Sequence, residues 1–209
     1  MTPNTRREFI TGPVGQIECA IDEPSHGAPP QGMAVIAHPL PTAGGAMDNK
    51  VVGTVARAFV QTGLRAVRFN FRGVGLSEGA WDEGRGEVDD LMAVIEHHRQ
   101  PGQPFYLAGF SFGGYTAAAA TARLGDAARP KRLVLVAPAV SRFQVAAVPA
   151  DTIVIHGEED DVVPLAEVFN WARPQALPIT VVPGVGHFFH GQLTLLKTLL
   201  LRELRATLD

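Results

Sequence analysis

The segment Gly109-Phe110-Ser111-Phe112-Gly113-Gly114 places a serine between glycines two residues away on either side. It directly follows the apolar run 105–108 and directly precedes a helical stretch opening Tyr115-Thr116-Ala117-Ala118. A serine on so tight a strand-to-helix turn adopts a strained backbone, and side chains at the flanking positions would collide, so glycine is needed there. That strain holds the hydroxyl out above the sheet, where it can attack. The phosphate-cradling alternative, G-x-x-x-x-G-K-[ST], is absent, and no lysine follows the glycines. Because a serine hydroxyl is a weak nucleophile near neutral pH, it needs an imidazole to take its proton and a carboxylate to orient that imidazole. Two later segments supply them. His156-Gly157-Glu158-Glu159-Asp160-Asp161-Val162-Val163-Pro164 follows the apolar run 152–155, and Pro183-Gly184-Val185-Gly186-His187-Phe188-Phe189-His190 follows the run 179–182. A serine with a carboxylate and a histidine available to activate it points to acyl transfer.

Positioning such groups requires a framework whose loops converge. Short apolar runs at 33–37, 66–71, 105–108, 133–136, 152–155 and 179–182 read as buried strands. They alternate with segments of helical period at 48–62, 87–99, 113–124, 165–171 and 192–204, bounded by Gly63, Pro101, Gly125 and Pro174. This alternation predicts an α/β domain spanning 1–209, with a mostly parallel central sheet and helices on both faces. Such sheets carry their sites at the carboxyl ends of the strands. Upstream, 8–11 and 15–21 alternate apolar and polar residues around Gly12-Pro13, as an edge hairpin does, and the Pro/Gly stretch 24–32 reads as a loop.

Composition narrows the partners. Lys plus Arg at 18 against Asp plus Glu at 21 gives a net charge of −3, too balanced for a protein that grips phosphate backbones or anionic lipid. Hydrophobic residues are 46% and charged residues 19%, and no apolar run nears the roughly 18 residues of a membrane span. The single cysteine, Cys19, excludes an internal disulfide and cysteine-rich metal schemes. The residues after Arg6 and Arg7 are too polar for a signal peptide, so a cytoplasmic location is expected, with no nucleic-acid or membrane partner. Nothing in the sequence sets the oligomeric state.

With these residues in view, the chain resembles the α/β-hydrolase superfamily over nearly its whole length beyond the 24–32 loop. His38-Pro39-Leu40-Pro41 and the stretch from Arg68 through Arg72-Gly73-Val74-Gly75 to Gly79 look like a subgroup of small bacterial hydrolases, similar to dienelactone hydrolase-like and acyl-peptidase-like enzymes. That subgroup often has a second histidine where Leu40 stands, and more distant members have Asp where Asn70 stands. The resemblance implies Ser111 as nucleophile, with no metal or organic cofactor. The family pattern H-G-x-x-D-x-x-V-P falls on His156, Gly157, Asp160, Val163 and Pro164, making Asp160 the acid, with Asp161 as the second choice. Its Gly-His-x-Phe ending makes His187 the base, with His190 one helical turn further on. His97 and His98, late in a helix, are expected to be solvated, and His26 lies in the loop. The oxyanion donors would be the N–H groups of Phe112 and Leu40, since the flanking prolines have none.

Only residues 137–151 separate two strands where related enzymes insert a cap, so no cap domain is expected. The result would be an open cleft lined by Leu40, Phe110, Phe112, Val140, Phe143 and Phe188, with His38 also at the substrate. Arg72 is expected to pin its loop to Glu87 or Asp90, Ser77 to be structural, and a metal set of His156, Glu158 and Asp160 is set aside. The expected function is hydrolysis of small-molecule carboxylic esters through an acyl-enzyme. Peptidase or amidase, thioesterase and perhydrolase chemistry on the same groups remain alternatives, as does a non-catalytic binding protein that kept the fold.

Overall fold

Three central strands show how the sheet is built. In β3 (Met33–Ala37), β5 (Phe105–Phe110) and β6 (Arg132–Val136) nearly every residue is buried, because both faces of the sheet are covered. The period of two sends Met33, Val35, Phe105, Leu107, Leu133 and Leu135 into one apolar core. Ala34, Ile36, Tyr106, Ala108, Val134 and Val136 enter the other. The computed structural model describes residues 5–24 and 29–206, so His26 lies outside the described residues.

Among the described residues eight strands form one sheet in the order β1-β2-β4-β3-β5-β6-β7-β8. The hairpin β1 (Thr5–Gly12) and β2 (Gly15–Asp22) is antiparallel and joins β4 (Arg65–Phe69) antiparallel. From β4 through β3, β5, β6, β7 (Ile153–Gly157) and β8 (Thr180–Val182) every pairing is parallel. Helices α1 (Lys50–Gln61) and α5 (Leu193–Arg205) cover one face. The other face carries α2 (Arg85–His98), α3 (Phe112–Leu124) and α4 (Leu165–Ala172). The sheet is mostly parallel with helices on both faces, as the alternation predicts.

Local chemistry sets the boundaries. Asn49 caps α1, its side-chain oxygen accepting from the Val51 N–H at 2.9 Å. Glu87 reaches back to accept from the N–H groups of Gly84 at 2.8 Å and Asp82 at 2.9 Å, so α2 starts two residues before the sequence pattern places it. Arg72 pairs with the fully buried Asp90, Nε to Oδ2 at 2.9 Å and Nη2 to Oδ1 at 2.7 Å. The Ser77 hydroxyl donates to the Asn70 carbonyl at 2.7 Å and accepts from the Glu18 N–H at 3.0 Å. The arginine-glycine loop after β4 is therefore held by buried polar contacts and is part of the framework.

Two boundaries move residues. β7 runs through Gly157, so His156 lies within a strand, and β5 runs through Phe110, so that ring follows Tyr106 and Ala108 into the α1/α5 core. His98, expected to be solvated, is instead buried, with its side chain 7% exposed, because the end of α2 packs toward β1.

Candidate active site

Ser111 sits between β5 and α3 at φ 56°, ψ −117°, a left-handed conformation that strains any residue with a side chain. The two flanking glycines make the turn buildable. A Cβ on Gly109 would strike the carbonyl of Gly113, and one on Gly113 would strike the carbonyl of Ala37 on β3. The collision thus involves the adjacent strand as well as the turn itself. Phe112 is the first residue of α3, so its N–H has no acceptor within the helix.

The acid and the histidine arrive on two loops stitched together. The Glu158 N–H donates to the Val182 carbonyl and the Glu159 N–H to the Val185 carbonyl, each at 3.0 Å, while Glu158 Oε2 accepts from the Gly184 N–H at 3.0 Å. This brings His187 Nδ1 to 2.7 Å from Asp160 Oδ2. The other carboxylate oxygen accepts from the N–H groups of Val162 at 3.0 Å and Val163 at 2.7 Å, so Asp160 is clamped from both sides. Burial pushes the Asp160 carboxyl up. The His187 hydrogen bond, the Val163 amide and the neighbouring imidazoles outweigh burial and hold it below the ordinary carboxylate range. Asp161 is exposed, and the Glu158 side chain is occupied by the Gly184 amide.

His156 Nε2 lies 2.9 Å from the Val163 carbonyl and 3.5 Å from Asp160 Oδ2. With that nitrogen engaged and Glu158 turned to Gly184, the set His156, Glu158 and Asp160 does not converge on a cation.

Ser111 and His187 line the same cleft, a space of about 240 Å³ shared with Leu40, Phe112, Phe143 and Phe188. Among the described residues neither the Ser111 hydroxyl nor His187 Nε2 makes a hydrogen bond, as is common before a substrate draws the pair together. The Leu40 carbonyl is turned into its own loop, accepting from the N–H groups of Ala43 at 3.1 Å and Gly45 at 3.0 Å. Larger hollows exist elsewhere. One of about 530 Å³ near Asp151 contains no nucleophile beside a base, so size does not locate the chemistry.

Three residues expected at the substrate are elsewhere. His38 is fully buried, Nδ1 donating to the Pro39 carbonyl at 2.6 Å and Nε2 accepting from the Phe71 N–H at 3.1 Å, so it holds the loop from beneath. Phe110 is fully buried under His187, ring centroids 5.0 Å apart, because the strand extends through it. Val140 packs on the α2/α3-side core. In their place Asn49, Arg142 and Val162 line the cleft. Val162 was findable as the apolar neighbour of the acid cluster, and Arg142 as part of the short segment that stands where a cap would be.

Residues 28–147 match the family described as serine aminopeptidase, S33. A lidless α/β serine hydrolase from Xanthomonas campestris is 38% identical and superposes with a TM-score of 0.88 over 99% of this chain and 96% of that one. An α/β serine hydrolase homologue from Coxiella burnetii is 40% identical, with a TM-score of 0.83 over 98% of each chain. An uncharacterized protein of Rickettsia prowazekii is 29% identical over 207 residues, 87% of this chain and 81% of its own length.

Proposed function

We propose, from the premise that this chain belongs to the serine aminopeptidase S33 family of hydrolases, that it cleaves carboxylic esters through an acyl-enzyme on Ser111. The observation that carries this reading is the 2.7 Å contact of His187 Nδ1 with Asp160, in a histidine that shares its cleft with a serine on a strained turn. Ser111 Oγ attacks the acyl carbon while its proton passes to His187 Nε2. The oxygen that gains charge accepts from the N–H groups of Phe112 and Leu40. Collapse breaks the bond to the leaving oxygen, which takes the proton from His187 and departs as the alcohol. Water then gives a proton to His187 and attacks the acyl carbon, and Ser111 recovers its proton as the acid leaves. Asp160 stays ionised throughout, fixing the His187 tautomer with Nε2 as the acceptor and stabilising the imidazolium between the two transfers. Every charge in the cycle is met by a group of this chain, so the cycle needs no metal or organic cofactor.

The cleft favours esters over peptides with a free amino terminus. Among the described residues its lining includes no Asp or Glu to pair with a substrate ammonium, and Arg142 is cationic. Among the described residues no helix is long and apolar enough to cross a membrane. The balanced net charge and the polar residues after Arg6 and Arg7 support a cytoplasmic enzyme taking small-molecule esters. The test is a panel presenting one acyl group as ester, thioester and amide, together with a fluorophosphonate probe. We expect the ester to turn over fastest and the probe to label Ser111. Faster cleavage of an aminoacyl amide would replace the ester reading, and labelling of another serine would remove it.

A further inference from the structure

Far from this cleft, β1 and the end of α2 bring together three side chains that the reaction does not use. Glu8 lies in β1, and His97 and His98 are the last two residues of α2. One donor atom from each falls within 4.8 Å of the other two. His98 Nε2 is buried and has no hydrogen-bond partner, its side chain is 93% buried, and it stands 3.6 Å from Glu8 Oε1. That separation is too long for a hydrogen bond. It suits two ligands of one cation, since bonds of about 2.1 Å at a tetrahedral angle place their ligand atoms roughly 3.4 Å apart.

We propose that Glu8, His97 and His98 form a site for a divalent transition metal of the zinc class, which clamps the edge strand β1 to the end of α2. Two imidazoles and a carboxylate are a donor set such ions accept, with water in the fourth position beside the exposed His97. The partial negative charge at the carboxyl end of α2 adds attraction. Among the described residues two arginines face the group. Arg6 pairs with the other oxygen of Glu8, but its side chain is 57% exposed, so solvent screens its charge, and Arg65 is neutralised by Glu23 at 2.8 Å.

The site is framework and not catalytic machinery. α2 leads back to the start of β5, whereas Ser111 follows the end of β5, about 20 Å away along six residues of strand.

The test is titration of the full chain with Zn²⁺ alone, read by calorimetry and by thermal unfolding. We expect one ion per chain, a rise in Tm, and an unchanged result after Ser111 has been blocked with fluorophosphonate. His97→Ala alters an exposed side chain and so leaves the fold intact. It should weaken Zn²⁺ binding roughly tenfold or more and abolish the Tm rise, with ester turnover unchanged. Glu8→Gln should weaken binding likewise. Absence of binding at micromolar Zn²⁺ would overturn the proposal. So would binding that persists unaltered in His97→Ala, since that ion must then lie elsewhere, for instance on His187.

Discussion

His38 and His187 both follow strands of the parallel sheet, and both are buried, yet their ring nitrogens have opposite fates. His38 uses both, one on the Pro39 carbonyl and one on the Phe71 amide, and burial pushes its imidazole down to about 4. His187 uses only Nδ1, on Asp160, and Nε2 is left for the cleft. The first is a neutral strut. The second has a carboxylate behind it and is the base of the proposed cycle. Burial alone therefore does not mark a histidine for chemistry, and what decides is the atom left unspent.

The largest effects should break the comparison at the unspent atom. Ser111→Ala or His187→Ala should lower ester kcat on the order of 10⁶-fold while the circular dichroism spectrum and Tm change little. A His38→Ala variant that lost as much kcat without losing stability would erase the distinction. Next is the carboxylate behind His187. Asp160→Asn should cost about 10⁴-fold in kcat by favouring the wrong tautomer, whereas the exposed Asp161→Asn should stay within about threefold of the parent. A reversed ranking would transfer the role of orienting acid to Asp161.

A smaller effect tests the strut. His38 falls to about 4 in the fold against about 6.5 unfolded, so below pH 6.5 the unfolded chain binds more protons than the native one. Its contribution is complete above pH 6.5 and is lost as pH falls from 6.5 to 4, by up to about 3 kcal/mol. His98, also lowered to about 4, adds to the same loss. Denaturant midpoints measured across that range should fall with acid, and His38→Gln should flatten part of the slope while lowering stability at pH 8. An unaltered slope would mean that His38 is not buried uncharged. The smallest effect is at the rim. Phe188 is 43% exposed over the cleft, so Phe188→Ala should raise KM about tenfold with kcat nearly constant, as loss of apolar contact to the acyl group predicts.

The alternation of apolar runs and helical periods is written locally, so the sheet and its two helical faces were legible in the sequence, and the short 137–151 segment read as capless through resemblance. So was the turn at Ser111, since two glycines around a serine answer to steric demands within a few residues. The His187–Asp160 contact was legible only through resemblance, because the residues themselves left four carboxylates and two histidines open.

Other assignments depended on distances that no spacing encodes. A strand ending at Ala108 places Phe110 at the cleft, whereas two more residues of pairing with β6 turn its ring into the core. His38 could not be told from a substrate contact, since its partner amide belongs to Phe71, 33 residues on. His98 ends an amphipathic helix where solvent is the ordinary neighbour, and only the packing of α2 against β1 buries it beside Glu8. The sequence by itself determined which elements form and which residue types stand at the strand ends, because propensity, periodicity and turn sterics act over short range. Only the tertiary structure decided which polar atoms are spent inside the fold and which remain to react, because a hydrogen bond across 27 or 33 residues forms only after the sheet has brought its loops together.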